Sequence, residues 1–328
     1  MIIYLDKLIS GKNLTRHESY TLFLQMATYP LSQQAKILSA LAKKKETTEE
    51  LLGAMEALLE HSIPIDCPHE VIDIVGTGGD GLKTFNISTA ASLVVASCGV
   101  TVAKHGGRCI TSLSGSADVL EALGVSLPRT PNASITLLKT HGYAYLWAPL
   151  FNPLLSAFSE VRKQLGVPTI LNTLGPLINP IRPKRQVLGV YSQHLLPIIV
   201  QVLKASGLLH ALVVHSEDGL DEFSMSAPTH VAELRHGLIT EYQITPEAVG
   251  LKSAPLQDIV GGNSTENANI IRDLFSGKIH DAKLDIVLLN SAAGLLVANQ
   301  VATLKEGIAM ARSAIASGLT ATFLHTLQ

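Results

Sequence analysis

Residues 71–89 read VIDIVGTGGDGLKTFNIST, and the fold turns on what this stretch does. The apolar run from Val71 to Val75 stops at Gly76-Thr77-Gly78-Gly79-Asp80. Asn86-Ile87-Ser88-Thr89 follows, and then a run rich in alanine and valine. Strand, glycine loop and helix start are the parts of one βα unit. Glycine can take φ > 0 and lets a ligand come close to the backbone. Several N–H groups can then converge on one anion, and the helix N-terminus adds positive partial charge. Thr84, Asn86, Ser88 and Thr89 can donate to phosphate oxygens. The loop is neither a Walker loop nor the dinucleotide GxGxxG. A tight turn with an ordinary Ser/Thr cap uses the same letters, so the loop alone does not decide.

A second unit repeats the pattern. The run 100–105 ends in Lys104-His105-Gly106-Gly107-Arg108. Thr111, Ser112, Ser114, Gly115 and Ser116 come next, then a helix-like stretch. Loops on successive βα units lie side by side at the C-terminal edge of a parallel sheet, where open α/β sheets bind ligands. A ligand with two separated phosphate groups fits such a pair. A third element, HSEDGLDE at 215–222, sets Asp218, Asp221 and Glu222 at another strand end. Carboxylates beside a phosphate site commonly hold Mg²⁺. The competing readings are a solvated lysine, a core histidine and an acidic surface turn.

Outward from these loops, strand-like runs (71–75, 100–105, 186–191, 210–215 and 285–290) alternate with helix-like ones. The latter cover 88–98, 116–123, 133–141, 195–206, 264–276 and 302–317. Such alternation predicts a largely parallel sheet with helices on its faces. HVAEL (230–234) and LITEYQI (238–244) flank His236-Gly237 and read as a hairpin. The first sixty or so residues read as a small helical bundle, with capping boxes at Thr15-x-x-Glu18 and Thr47-x-x-Glu50. Pro64 and Pro68 mark a boundary. A helix over 153–165, closed by Gly166, and a proline-rich return interrupt the α/β pattern. The expected organisation is a helical domain of 1–66 with about 153–180, and an α/β domain of 70–150 with about 181–328.

The 328 residues carry 25 Lys+Arg against 27 Asp+Glu, a near balance that argues against a nucleic-acid or anionic-membrane coat. Three cysteines, Cys67, Cys98 and Cys109, form neither a disulfide framework nor a CxxC pair, which fits a reducing compartment. The N-terminus does not read as a signal peptide. The uncharged stretch 84–103 is broken by polar residues and reads as helix, turn and strand, not a membrane span.

In this order and spacing, GTGGDGLKTFNIST, KHGGR…SGSAD, VRKQLG…NTLGPLINP and VHSEDGLDE resemble anthranilate phosphoribosyltransferases over nearly the whole chain. The resemblance implies a small helical domain beside a larger α/β domain, and a cytoplasmic homodimer paired through the helical domain. It implies Mg²⁺-dependent transfer of phosphoribose from phosphoribosyl diphosphate to anthranilate, a step of tryptophan synthesis. It places phosphoribosyl diphosphate at Gly76, Gly79, Asp80, Thr84, Asn86, Ser88, Thr89, Lys104, Arg108, Ser112 and Ser116. Mg²⁺ falls to Ser88, Asp221 and Glu222, and anthranilate to Gly76, Gly107 and Arg162. No general base is named, because an aromatic amine is already neutral and needs positioning more than deprotonation. Without the resemblance, Arg162 reads as a helix C-terminal cation.

Two positions depart from the family pattern, both on the acceptor side. KHGGR stands where KHGNR is usual, so Gly107 replaces an asparagine that contacts anthranilate. Asn152-Pro153 stands where His-Pro is usual. One lost hydrogen bond costs about 0.5–1.5 kcal/mol, enough to weaken binding but not to abolish it. A relative with another aromatic acceptor therefore stays open beside the anthranilate enzyme. A phosphorolytic nucleoside phosphorylase and a non-catalytic nucleic-acid binder fit the intact GTGGD…NIST less well.

Overall fold

The computed structural model describes residues 3–67, 69–108 and 114–328. Four helices come first: α1 (Leu5–Ile9), α2 (Arg16–Met26), α3 (Leu31–Lys44) and α4 (Thr48–Glu60). The capping boxes of Thr15 with Glu18 and Thr47 with Glu50 are both closed. α2 and α4 approach closely because Gly53 has no side chain; a Cβ there would collide with the Arg16 carbonyl.

The α/β part runs β1 (Ile72–Gly76), α5 (Ile87–Ser97), β2 (Val102–Gly106), α6 (Ser116–Ala122), α7 (Pro131–His141) and β3 (Tyr143–Trp147). Short helices follow: α8 (Ala148–Phe151), α9 (Pro153–Ser156), α10 (Ser159–Leu165) and α11 (Ile170–Leu174). Then come β4 (Arg185–Gly189), α12 (Leu196–Ala205), β5 (His210–Ser216), β6 (Thr229–Arg235) and β7 (Leu238–Ile244). The chain closes with α13 (Ser264–Phe275), α14 (Ala282–Val297), α15 (Leu304–Ala316) and α16 (Leu319–Thr326). One sheet of seven strands has the order β3-β2-β1-β4-β5-β6-β7. β1 to β5 pair in parallel, and the β6–β7 hairpin adds antiparallel strands.

The two sheet faces bury different partners. α5, α13 and α14 cover one face, where Ile72, Ile74, Val187 and Leu212 meet Leu93, Ile271 and Leu288. On the other, Leu188, Val190, Val213 and Ala232 share a core with Leu22, Phe23, Leu38 and Leu51 of the bundle. Leu155, Phe158, Val161, Ile170, Leu171, Leu174, Leu177 and Ile178 join that core, and Phe158 meets Phe23 edge-on at 6.3 Å.

Two expectations need correction, and one strand was not foreseen. The run 285–290 lies inside α14, not in a strand. A short apolar run is the same letters in a buried strand and a buried helix. Here Asp281 caps a helix that stays buried almost throughout to Val297. The helix over 153–165 is broken between Ser156 and Ser159, although Gly166 does close it with φ 64°. β3 was not foreseen; its five residues follow α7 with only Gly142 between. No single helix among the described residues is long and apolar enough to cross a membrane.

Candidate active site

β1 connects to β2 on one side, while β4 lies on the other, so the strand order reverses between β1 and β4. Open α/β sheets receive ligands beyond the strand ends at such a point. Gly76 and Gly189 end these strands and pair with each other. Asp221, from the loop after β5, sits directly over both. A Cβ on Gly189 would collide with the Asp221 backbone, and one on Gly76 with its carboxylate. Gly78, at φ 62°, donates its N–H to Asp221 Oδ2 at 2.7 Å. Gly79, at φ 85°, lies against Pro168 and Asn172. The first glycine loop thus touches the acidic loop and the segment before α11.

Ser88 begins the first turn of α5 and donates its N–H to Glu222 Oε1 at 3.0 Å. Lys104 is almost wholly buried; its Nζ donates to the Ile74 carbonyl at 2.5 Å and to Ser88 Oγ at 3.1 Å. Burial pushes its pKa down, while Asp73, Glu222 and Asp221 oppose that. Burial, with Asp80 and Glu222 facing it, holds the Asp221 carboxyl well above its usual range. Burial likewise lifts Glu222 to about 7, against the pull of Lys104 and Ser88. Among the described residues no three His, Cys, Asp or Glu side chains are grouped as a metal cage. The donor set still suits Mg²⁺, which keeps waters and takes one or two carboxylates plus substrate phosphates. Carboxylates strained by burial and by each other gain from a divalent cation.

Asn86 ties the first loop to its neighbours. Its Nδ2 donates to the Ser114 carbonyl, and its Oδ1 accepts from Ser114 Oγ and Asn267 Nδ2. Thr89 Oγ1 donates to Ser116 Oγ at 3.1 Å, joining the starts of α5 and α6. Thr84 forms a single bridge with Val260. Asp80 Oδ1 accepts the Leu82 N–H. Arg108 is turned onto α6, where it meets Asp118 and Glu121 at 2.7 Å each and stacks 5.7 Å from the Trp147 ring centre. Thr111 and Ser112 lie outside the described residues.

At the end of β2, burial drives His105 down to about 4 and keeps it neutral. Its Nδ1 meets the Gly175 carbonyl at 3.1 Å and its Nε2 meets Asn152 Nδ2 at 3.0 Å. A carbonyl only accepts, so Nδ1 carries the proton and Nε2 accepts from the amide. Asn152 Oδ1 is buried without a partner among the described residues. The Gly107 carbonyl accepts from Tyr145 Oη at 2.9 Å, and no atom of the described residues lies within 4 Å of the place of a Cβ. Arg162, in α10, has its pKa lowered by burial.

Two residues that the sequence reading passed over are central. Asp73 is fully buried in β1, and burial lifts its carboxyl to about 6. Asn179 donates to Asp73 Oδ2 at 3.0 Å and to the Ala103 carbonyl at 2.9 Å. Asp73 sits inside a strand and Asn179 before a proline, so neither spacing marked them; a lone acid in VIDIV was the available signal.

The chain matches the glycosyl transferase family a/b domain over residues 68–321 and that family's helical bundle domain over 3–62. It is 42% identical to anthranilate phosphoribosyltransferase of Geobacillus sp. (strain WCH70), over 95% of this chain and 92% of the relative. The crystal structure of anthranilate phosphoribosyltransferase from Thermus thermophilus superposes with a TM-score of 0.91 at 38% identity, covering 99% and 98% of the two chains. The Saccharomyces cerevisiae enzyme in complex with phosphoribosyl diphosphate and Mg gives 0.89 at 30% identity, covering 98% and 95%.

Proposed function

The chain belongs to the anthranilate phosphoribosyltransferase family and is a glycosyltransferase; from this premise we propose that it moves phosphoribose from phosphoribosyl diphosphate to the amine of anthranilate, releasing diphosphate. The observation that carries the reading is the meeting of Gly76–Asp80, Lys104 and Asp221–Glu222 at the β1/β4 reversal.

In this reading Gly76, Gly79, Asp80, Thr84, Asn86, Ser88, Thr89, Lys104, Arg108, Ser112 and Ser116 hold the donor. Ser88, Asp221 and Glu222 would hold Mg²⁺. When bound, the cation offsets the charge that builds on the leaving diphosphate. Lys104, buried beneath the loop, and the backbone N–H groups of the glycine loop stabilise the same charge. Arg108 reaches the donor only by leaving Asp118 and Glu121. The C1–O bond to diphosphate breaks and a C1–N bond to the amine forms, after which the nitrogen sheds a proton. His105 does not take it, because both ring nitrogens are engaged. Gly76, Gly107 and Arg162 form the anthranilate side, with Arg162 facing the carboxylate. The segment 153–180 belongs with the bundle of 1–66, leaving 70–150 and 181–328 as the donor-binding domain. A cytoplasmic homodimer paired through the bundle fits the exposed Ile9 and Leu31.

Gly107 and Asn152 favour a second reading, a relative with another aromatic acceptor. Anthranilate fluorescence decides between them. Loss of signal that needs protein, Mg²⁺ and phosphoribosyl diphosphate together establishes the first. No loss, with the donor still binding by calorimetry, establishes a changed acceptor. The Asp221→Asn/Glu222→Gln protein is expected to lose Mg²⁺-dependent turnover; unchanged turnover would sink the metal assignment.

A further inference from the structure

β1 and β2 are neighbours in a parallel sheet, yet they pair only at Ile72↔Val102. On its other side β1 pairs with β4 along all five of its residues. The Ile72 N–H bonds the Thr101 carbonyl, which fixes the phase of the ladder. In a parallel ladder of that phase the next pair is Ile74 with Lys104. It would use the Ala103 carbonyl and the Ile74 N–H, then the Ile74 carbonyl and the His105 N–H.

Side chains occupy three of these four groups. Asn179 Nδ2 donates to the Ala103 carbonyl at 2.9 Å. Lys104 Nζ donates to the Ile74 carbonyl at 2.5 Å. The His105 N–H donates to Asp73 Oδ1 at 3.3 Å. Asn179 Nδ2 also holds Asp73 Oδ2 at 3.0 Å, and its Oδ1 accepts the Ile181 N–H at 3.1 Å. The strands are therefore parted directly below Gly76 and Gly106, and the gap is sealed with hydrogen bonds rather than left empty. Buried backbone groups demand partners, so a parted ladder persists only if something supplies them.

The gap gives Lys104 its place. In a closed ladder the Ile74 carbonyl would take the His105 N–H and would not be left for the ammonium. An ammonium has three donors. Two go to Ile74 and Ser88, leaving one for a ligand.

We infer that Asp73 and Asn179 are positioning residues for phosphoribosyl diphosphate: they hold β1 and β2 apart so that Lys104 reaches across to the start of α5. This rests on the function proposed above. Asn179 lies on the return from the helical segment, so it also ties that crossover to the donor site.

The test is donor binding by calorimetry, with Mg²⁺, in a double-mutant cycle. Asn179→Ala is expected to weaken phosphoribosyl diphosphate about tenfold in the wild-type background. In a Lys104→Met background the same replacement is expected to change affinity less than about twofold, because the route through Lys104 is already gone. Asp73→Asn, the isosteric partner change, is expected to follow the same pattern. Equal losses in both backgrounds, or no loss in either, overturn the inference. A wild-type protein that binds no phosphoribosyl diphosphate overturns instead the reading on which it rests.

Discussion

Asn152 gives an amide hydrogen to His105 Nε2 at 3.0 Å, and this contact fixes the tautomer of an imidazole that burial keeps neutral. Replacing Asn152 with Asp puts a carboxylate against that lone pair. The pair then wants a shared proton, so folding takes up a proton that the unfolded chain releases. Stability that depends on a bound proton falls as pH rises. Asn152→Asp is therefore expected to melt below the wild type by a margin that grows from about pH 5.5 to about pH 8. A margin that stays constant or shrinks over that range would show that residue 152 does not face the His105 Nε2 lone pair.

Gly76 has no room for a side chain, because the Asp221 carboxylate stands where a Cβ would go. That carboxylate is itself pinned by Gly78. Gly76→Ala is expected to fold, since the obstacle is the end of a side chain, but to displace Asp221. A misplacement of about 1 Å near a reacting centre can cost about a hundredfold in rate. Steady-state kinetics should show a kcat/KM loss of that order at unchanged melting temperature within about 2 °C.

The acidic loop predicts how Mg²⁺ and protons compete. Burial keeps the Glu222 proton on up to about pH 7, whereas the free side chain gives it up near 4.5. The metal-free protein therefore loses stability as pH rises between those values. Mg²⁺ binds the ionised form and reverses the loss. Its thermal upshift should be larger at about pH 8 than at about pH 6, with affinity falling by up to about tenfold per unit below 7. An upshift independent of pH would place the cation elsewhere.

The acceptor side gives a paired prediction. No described residue crowds the place of a Cβ at Gly107, so Gly107→Asn is expected to lower the anthranilate KM by about two- to tenfold, the worth of one hydrogen bond, and to leave the donor KM unchanged. Arg162→Leu is expected to raise the anthranilate KM about ten- to a hundredfold, the worth of a charged contact, with little loss of stability because burial already disfavours the cation. A rise in donor KM instead would move Arg162 to the other half of the site.

Much of this was legible in the letters. Glycine loops after strands, capping boxes and the hairpin follow from local chemistry, and local chemistry is written in sequence. The apolar run 285–290 was misread because burial on all sides erases the difference between a period of two and one of 3.6. The contact of Arg108 with Asp118 and Glu121 needed the start of α6 to lie beside the second loop, which only the fold supplies. Asp73 and Asn179 stayed silent for a similar reason. Their partners are backbone groups of neighbouring segments, and a side chain that completes a sheet leaves no spacing to read.

Gly76 and Gly189 both face Asp221, and this makes three distant positions a single heritable character. Gly189 cannot acquire a side chain while the backbone of the aspartate loop lies over it, and Gly76 can do so only by displacing the carboxylate, so drift at Gly189 must wait until that loop has moved. Lineages that abandon the chemistry should therefore free Gly76 once the acid is lost, and Gly189 only after the loop itself has moved. A chain that retains Gly76 but not the acid is then a recent departure, and that glycine is a fossil of the carboxylate that once stood against it.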